Sequence, residues 1–69
     1  MRIRGQRLQD ARVAKGMTAG DLAARSRIDA ETIASLESGR QEVSLGTVRK
    51  LADALGVAVE DLVLWGDEA

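Results

Sequence analysis

The stretch from Asp29 to Ser38, DAETIASLES, holds the side chains best placed to do chemistry in this sequence. At helical spacing Ile33 and Leu36 fall on one side, and Ala30, Glu31, Ala34, Ser35 and Ser38 point away from it. Glu31 offers acceptors only, Ser35 offers a donor and lone pairs, and the alanines offer small methyl surfaces. That set suits the edges of nucleobases: a carboxylate accepts from a cytosine amino group, a hydroxyl serves several edges, and a methyl touches a thymine methyl. The plainer alternative for Glu31 is a favourable acid in the first turn of a solvated helix. Other chemistry is poorly supplied. The chain has no histidine and no cysteine, so it lacks the commonest general base, the commonest metal ligand and any thiolate site. No nucleophile–base pair, metal-ligand cluster or phosphate-binding glycine loop is legible. An enzyme is the least favoured class, and neither a cofactor nor a metal is expected.

These residues need elements to hold them. Helix 1 is expected from about Gly5 to Lys15, with Leu8, Ala11 and Ala14 on one face and Gly16 stopping it. Thr18 reads as the N-cap of helix 2, with Asp21 at capping-box spacing, and Leu22 and Ala23 facing inward. That helix ends near Arg25 or Ser26. Asp29 is the natural N-cap of helix 3, and Gly39 ends it. Ser44 caps helix 4, where Leu45, Val48, Leu51, Ala52 and Leu55 repeat at three- and four-residue intervals until Gly56. A last short helix is expected from Glu60 to about Leu64. Two short helices joined by a tight turn, from Thr18 to Gly39, have the layout of a helix-turn-helix, which presents its second helix to the major groove.

Composition agrees. Sixty-nine residues make one small domain. Proline is absent and the aromatic residues reduce to Trp65, which favours helices over strands. No apolar run is long enough for a membrane span or a signal peptide, so the expected setting is the cytoplasm. Net charge is −1, unusual for a nucleic-acid binder, but Met1 to Lys15 carries five cations against Asp10 alone. The rest of the chain is net acidic, and the tail 67–69 is acidic beyond a domain expected over 1–66.

The chain resembles the phage-repressor (Cro and cI, or XRE) type of helix-turn-helix domain over Ile3 to Val63. The likeness rests on RLxxAR at Arg7 to Arg12, KGMT at Lys15 to Thr18, DLA at Asp21 to Ala23 and TIASLESGR at Thr32 to Arg40. It continues in SLGTVRKLADALGV at Ser44 to Val57 and VEDL at Val59 to Leu62. The resemblance implies an all-α fold: a compact five-helix, lambda-repressor-like DNA-binding domain with the helix-turn-helix at helices 2 and 3. It implies that Ala30, Glu31 and Ser35 face base edges, and that Thr18, Ser38 and Arg40 hold the phosphate backbone. Apart from the resemblance, the basic residues Arg4, Arg7, Arg25, Arg27 and Arg40 are candidates for phosphate contact. Arg40 comes first for its place just after helix 3 and Arg27 next for its place in the turn, and Thr32 is assigned to the same backbone set. The resemblance also implies that Arg12 matches a helix-1 arginine that pairs with the acid at Glu37. The chain departs from the family at Ala19, where glutamine is frequent, at Arg27, where glycine is frequent, and at Val43, where proline is usual. Helix 3 itself carries no Lys or Arg.

Arg12 and Glu37 are either unrelated surface charges or a pair tying helix 1 to helix 3, and the apolar neighbours favour partial burial. Trp65 either covers the core of its own chain or buries in a twofold partner. Because one helix cannot bury all three consecutive apolar residues Val63, Leu64 and Trp65 in its own core, a homodimer interface is favoured for them. The leading function is a sequence-specific DNA-binding transcription regulator, a repressor that acts sterically as a dimer on double-stranded DNA. The alternative is an antitoxin or other protein-interaction module that binds a partner protein, such as a toxin, and uses DNA binding for autoregulation.

Overall fold

The computed structural model describes residues 1–39 and 42–64. A two-residue strand, β1 (Arg2–Ile3), precedes four α-helices: α1 (Gly5–Ala14), α2 (Ala19–Ser26), α3 (Ala30–Glu37) and α4 (Leu45–Leu55). A single 3₁₀ turn (Val59–Asp61) then leads into β2 (Val63–Leu64). The strands pair antiparallel, Arg2 opposite Leu64 and Ile3 opposite Val63.

The helix boundaries follow from local chemistry. Thr18 and Asp21 form a reciprocal capping box: the Asp21 N–H donates to the Thr18 hydroxyl at 3.0 Å, and the Thr18 N–H donates to the Asp21 carboxylate at 3.0 Å. These bonds hold the Asp21 carboxyl below the usual carboxylate range, the backbone bond from Thr18 contributing most. Ser44 caps α4 by accepting from the Thr47 N–H at 3.2 Å. Gly56 ends α4 at φ 70, a left-handed conformation that a side chain resists.

Asp29 occupies the N-cap position of α3 as expected, and its side chain makes no capping bond. Two expectations need correction, the fifth helix and the place of Val63. The fifth helix is replaced by the 3₁₀ turn and β2, so the chain has four α-helices and a short strand pair among the described residues. The reason is burial. Leu62 is 1% exposed and Val63 3%, so two adjacent side chains must both enter the core. Leaving the helical conformation between them lets both do so, and Val63 then lies beside Ile3, itself 2% exposed. Val63 was expected at a dimer interface; it is instead part of its own core.

That core joins every element. Leu8 of α1, Leu22 of α2, Ile33 and Leu36 of α3, and Val48 and Leu51 of α4 are fully buried. Each such side chain contributes about 1.5–3 kcal/mol relative to exposure. Met17 closes the core between α1 and α2. No helix among the described residues is long and apolar enough to cross a membrane.

Candidate nucleic-acid interface

Ile33 and Leu36 are fully buried, so they fix which way α3 faces. Ala30, Glu31, Ala34 and Ser38 are exposed, and Thr32 and Ser35 are half-buried. Glu31 and Ser35 are four residues apart and lie one turn from each other on the side away from the core. The helix thus presents one acceptor-only group and two alanine methyls to solvent, with the half-buried Thr32 and Ser35 hydroxyls beside them.

The orientation of α3 is set at its far end. The Arg12 guanidinium donates to both Glu37 carboxylate oxygens, from Nε at 2.7 Å and from Nη2 at 3.1 Å. Its Nη1 also donates to the Met17 carbonyl at 3.0 Å. The two side chains are 14% and 12% exposed. One guanidinium therefore ties α1, the α1–α2 loop and the end of α3 together, in the two-pronged geometry that makes arginine–carboxylate pairs specific. The bond to Glu37 pushes the Arg12 pKa up, so the cation persists at any pH of interest.

Gly5 completes this joint. A Cβ at Gly5 would collide with the Glu37 carbonyl oxygen and lie 2.8 Å from the Leu36 carbonyl oxygen. The start of α1 packs backbone to backbone against the last turn of α3, which only glycine allows. The sequence reading missed this contact. The signal was a glycine inside the first turn of a predicted helix, where it weakens the helix unless packing requires it.

The α2–α3 turn shows how the chain manages without glycine there. Arg27 adopts φ 63 and ψ 31, and its N–H donates to the Ala23 carbonyl at 2.8 Å. The buried Ser26 hydroxyl donates to the Leu22 carbonyl at 2.7 Å and accepts from the Ile28 N–H at 3.3 Å. The turn's polar groups are therefore partnered while Arg27 sits in a conformation unfavourable for a side-chain-bearing residue. Its exposed side chain lines an open groove with Arg25, Lys50 and Asp53.

The remaining expected phosphate ligands fall as follows. Thr18 is exposed at the start of α2; its oxygen accepts from Asp21, which leaves the hydroxyl proton free to donate. The Ser38 hydroxyl donates to the Ala34 carbonyl at 3.0 Å and must rotate to reach a phosphate. Arg40 lies outside the described residues, as do Trp65 and the acidic tail.

The helix-turn-helix family model matches residues 8–62, from the core residue of α1 to Leu62, just past the 3₁₀ turn. The chain belongs to the helix-turn-helix family. Among curated relatives, the HTH-type transcriptional regulator DdrOP3 of Deinococcus deserti is 33% identical over 67 residues. That match covers 91% of this chain and 52% of the relative, so the chain spans about half of that protein's length. An uncharacterized HTH-type transcriptional regulator, y4dJ of Sinorhizobium fredii, is 41% identical over 54 residues, covering 78% of this chain and 70% of the relative. The crystal structure of the restriction-modification controller protein C.AhdI from Aeromonas hydrophila superposes with a TM-score of 0.80 at 38% identity, covering 83% of this chain and 86% of that one. In this helix-turn-helix protein, α2 and α3 are the two helices of the motif.

Proposed function

We propose that this helix-turn-helix protein is a DNA-binding transcription regulator that inserts α3 into the major groove and represses by occupying an operator. The observation that carries the reading is the orientation of α3. Ile33 and Leu36 are buried, Glu31 projects outward with Ser35 one turn beyond, and the Arg12–Glu37 pair fixes the helix end. Ala30, Glu31 and Ser35 read base edges, with Glu31 selecting a cytosine amino group. Thr18, Arg27, Thr32, Ser38 and Arg40 hold phosphates and set the register without reading sequence.

A single recognition helix covers few base pairs, so the chain acts as a homodimer whose two α3 helices lie about 34 Å apart on one face of the duplex. Val63 is buried in its own chain, and the proposed dimer-forming pair is Leu64 and Trp65. The protein works on double-stranded DNA in the cytoplasm, without a cofactor and without catalysis. The test is selection of duplexes from a random DNA pool. The expected result is a twofold-symmetric motif with cytosine in each half-site. Recovery of no motif would overturn the reading and favour the module that binds a partner protein.

A further inference from the structure

Backbone hydrogen bonds tie the start of the chain to the α3–α4 loop and to the segment around β2. The Val43 N–H donates to the Met1 carbonyl at 2.9 Å, joining the α3–α4 loop to the residue before β1. Proline, usual in the family at the position of Val43, has no N–H and cannot make this bond. The Arg4 N–H donates to the Leu62 carbonyl at 2.6 Å, and β2 pairs with β1 between these two points. Gly5 then meets the last turn of α3. Residues 1–5 thus run, fixed at both ends, past the C-terminal end of the recognition helix.

The alternation along this strap decides where its charges go. Ile3 is buried, and Arg2 and Arg4 on either side of it are exposed. No carboxylate lies within ion-pair distance of either arginine among the described residues. Of the described acids, Glu37 is held by Arg12, and the Glu42 carboxylate lies 3.6 Å from the Met1 nitrogen. Among the described residues, the end of α3 is therefore flanked by two cations with no ion-pair partner, on a backbone that cannot swing freely, whereas α3 carries Glu31 and Glu37 and no cation.

We propose that Arg2 and Arg4, held outward by the β1 strap, form a phosphate-binding site for the DNA backbone beside the C-terminal end of α3. This rests on the reading of α3 as the recognition helix. Electrostatic attraction that α3 does not supply comes from a separate, pre-positioned element, so the helix carries sequence preference and the strap carries salt-dependent affinity.

The experiment measures binding of the selected duplex and a mismatched duplex across a salt series, for wild type, Arg2→Gln, Arg4→Gln and Lys15→Gln. Lys15 lies at the opposite end of α1, and its side chain approaches Gly56. Each strap variant is expected to reduce the slope of log K against log salt by about 0.9, weakening both duplexes equally, with Lys15→Gln unchanged. Strand pairing uses backbone atoms, so amide exchange at Val43 and Arg4 should remain protected in both variants. In a Val43→Pro background, which frees the strap, Arg2→Gln should have a smaller effect on the slope. If wild type binds its duplex specifically while Arg2→Gln and Arg4→Gln leave the slope unchanged, the strap site is wrong and the reading of α3 stands. An equal slope change in Lys15→Gln would also overturn the site, as an effect of total charge. If wild type shows no preference between the duplexes, the reading of α3 fails with it.

Discussion

The two helices of the motif begin in opposite ways. α2 starts from a capping box in which Thr18 and Asp21 satisfy each other's backbone groups within four residues of sequence. α3 starts after Arg27 at φ 63, and Asp29 stands at its N-cap with no side-chain bond. What α3 lacks at its start it gains at its end, from Arg12, 25 residues away, and from Gly5. The difference teaches that α2 is specified locally and α3 by tertiary contacts. In the proposed reading, the helix that offers its first turn to DNA is held from behind.

The largest expected effect breaks the distant support. Glu37→Ala leaves the Arg12 guanidinium shielded and without its carboxylate, which costs about 3–5 kcal/mol for a buried pair. A small domain has about 5–15 kcal/mol in total, so the thermal midpoint should fall sharply. Gly5→Ala follows. Its methyl would press on the Glu37 carbonyl, and overpacking of this kind costs about 1–3 kcal/mol. Denaturant unfolding should show the loss, and the resonances of Leu36 and Glu37 should shift. The local support is weaker: Thr18→Ala removes a cap and should cost about 1 kcal/mol by the same measurement.

The capping box also has a pH signature. The Asp21 pKa is lowered in the folded chain, so its contribution is present above the ordinary carboxylate pKa of about 3.9. It is lost as pH falls through the lower folded value. Asp21→Asn should therefore destabilise the chain at neutral pH, and the gap from wild type should close in acid. The smallest effects lie at the start of α3. Arg27→Gly relieves the left-handed strain and should raise stability by up to about 1 kcal/mol. It should weaken DNA binding if Arg27 holds a phosphate. Asp29→Ala should change stability by only a few tenths of a kcal/mol, because no capping bond is lost. A loss at Asp29 equal to that at Thr18 would erase the contrast between the two helices.

Much of this was legible in the sequence because it is written in short-range chemistry. Thr18 with Asp21, Ser44, and the stop glycines Gly16, Gly39 and Gly56 bracket the helices, and the spacing of Ile33 and Leu36 assigns the faces of α3. The Arg12–Glu37 contact came from family resemblance, since no local pattern links residues so far apart. The end of the chain was misread for a physical reason. VEDLVL has helical spacing over one turn, but burial of Leu62 and Val63 together, with a strand partner at Arg2–Ile3, favours the extended form. A two-residue strand has no periodicity to detect. Gly5 stood out only as a glycine in a helix's first turn; its role depends on a carbonyl contributed by another helix.

The central claim is that α3 reads DNA sequence through its outward face. The most direct measurement is the ratio of affinities for the matched duplex and for one with the half-site cytosine replaced, compared between wild type and Glu31→Ala. The account predicts that Glu31→Ala loses about 1–3 kcal/mol of discrimination at that base pair while binding mismatched DNA at least as well, because the removed carboxylate repels phosphate. An unchanged ratio, with folding intact, would contradict it.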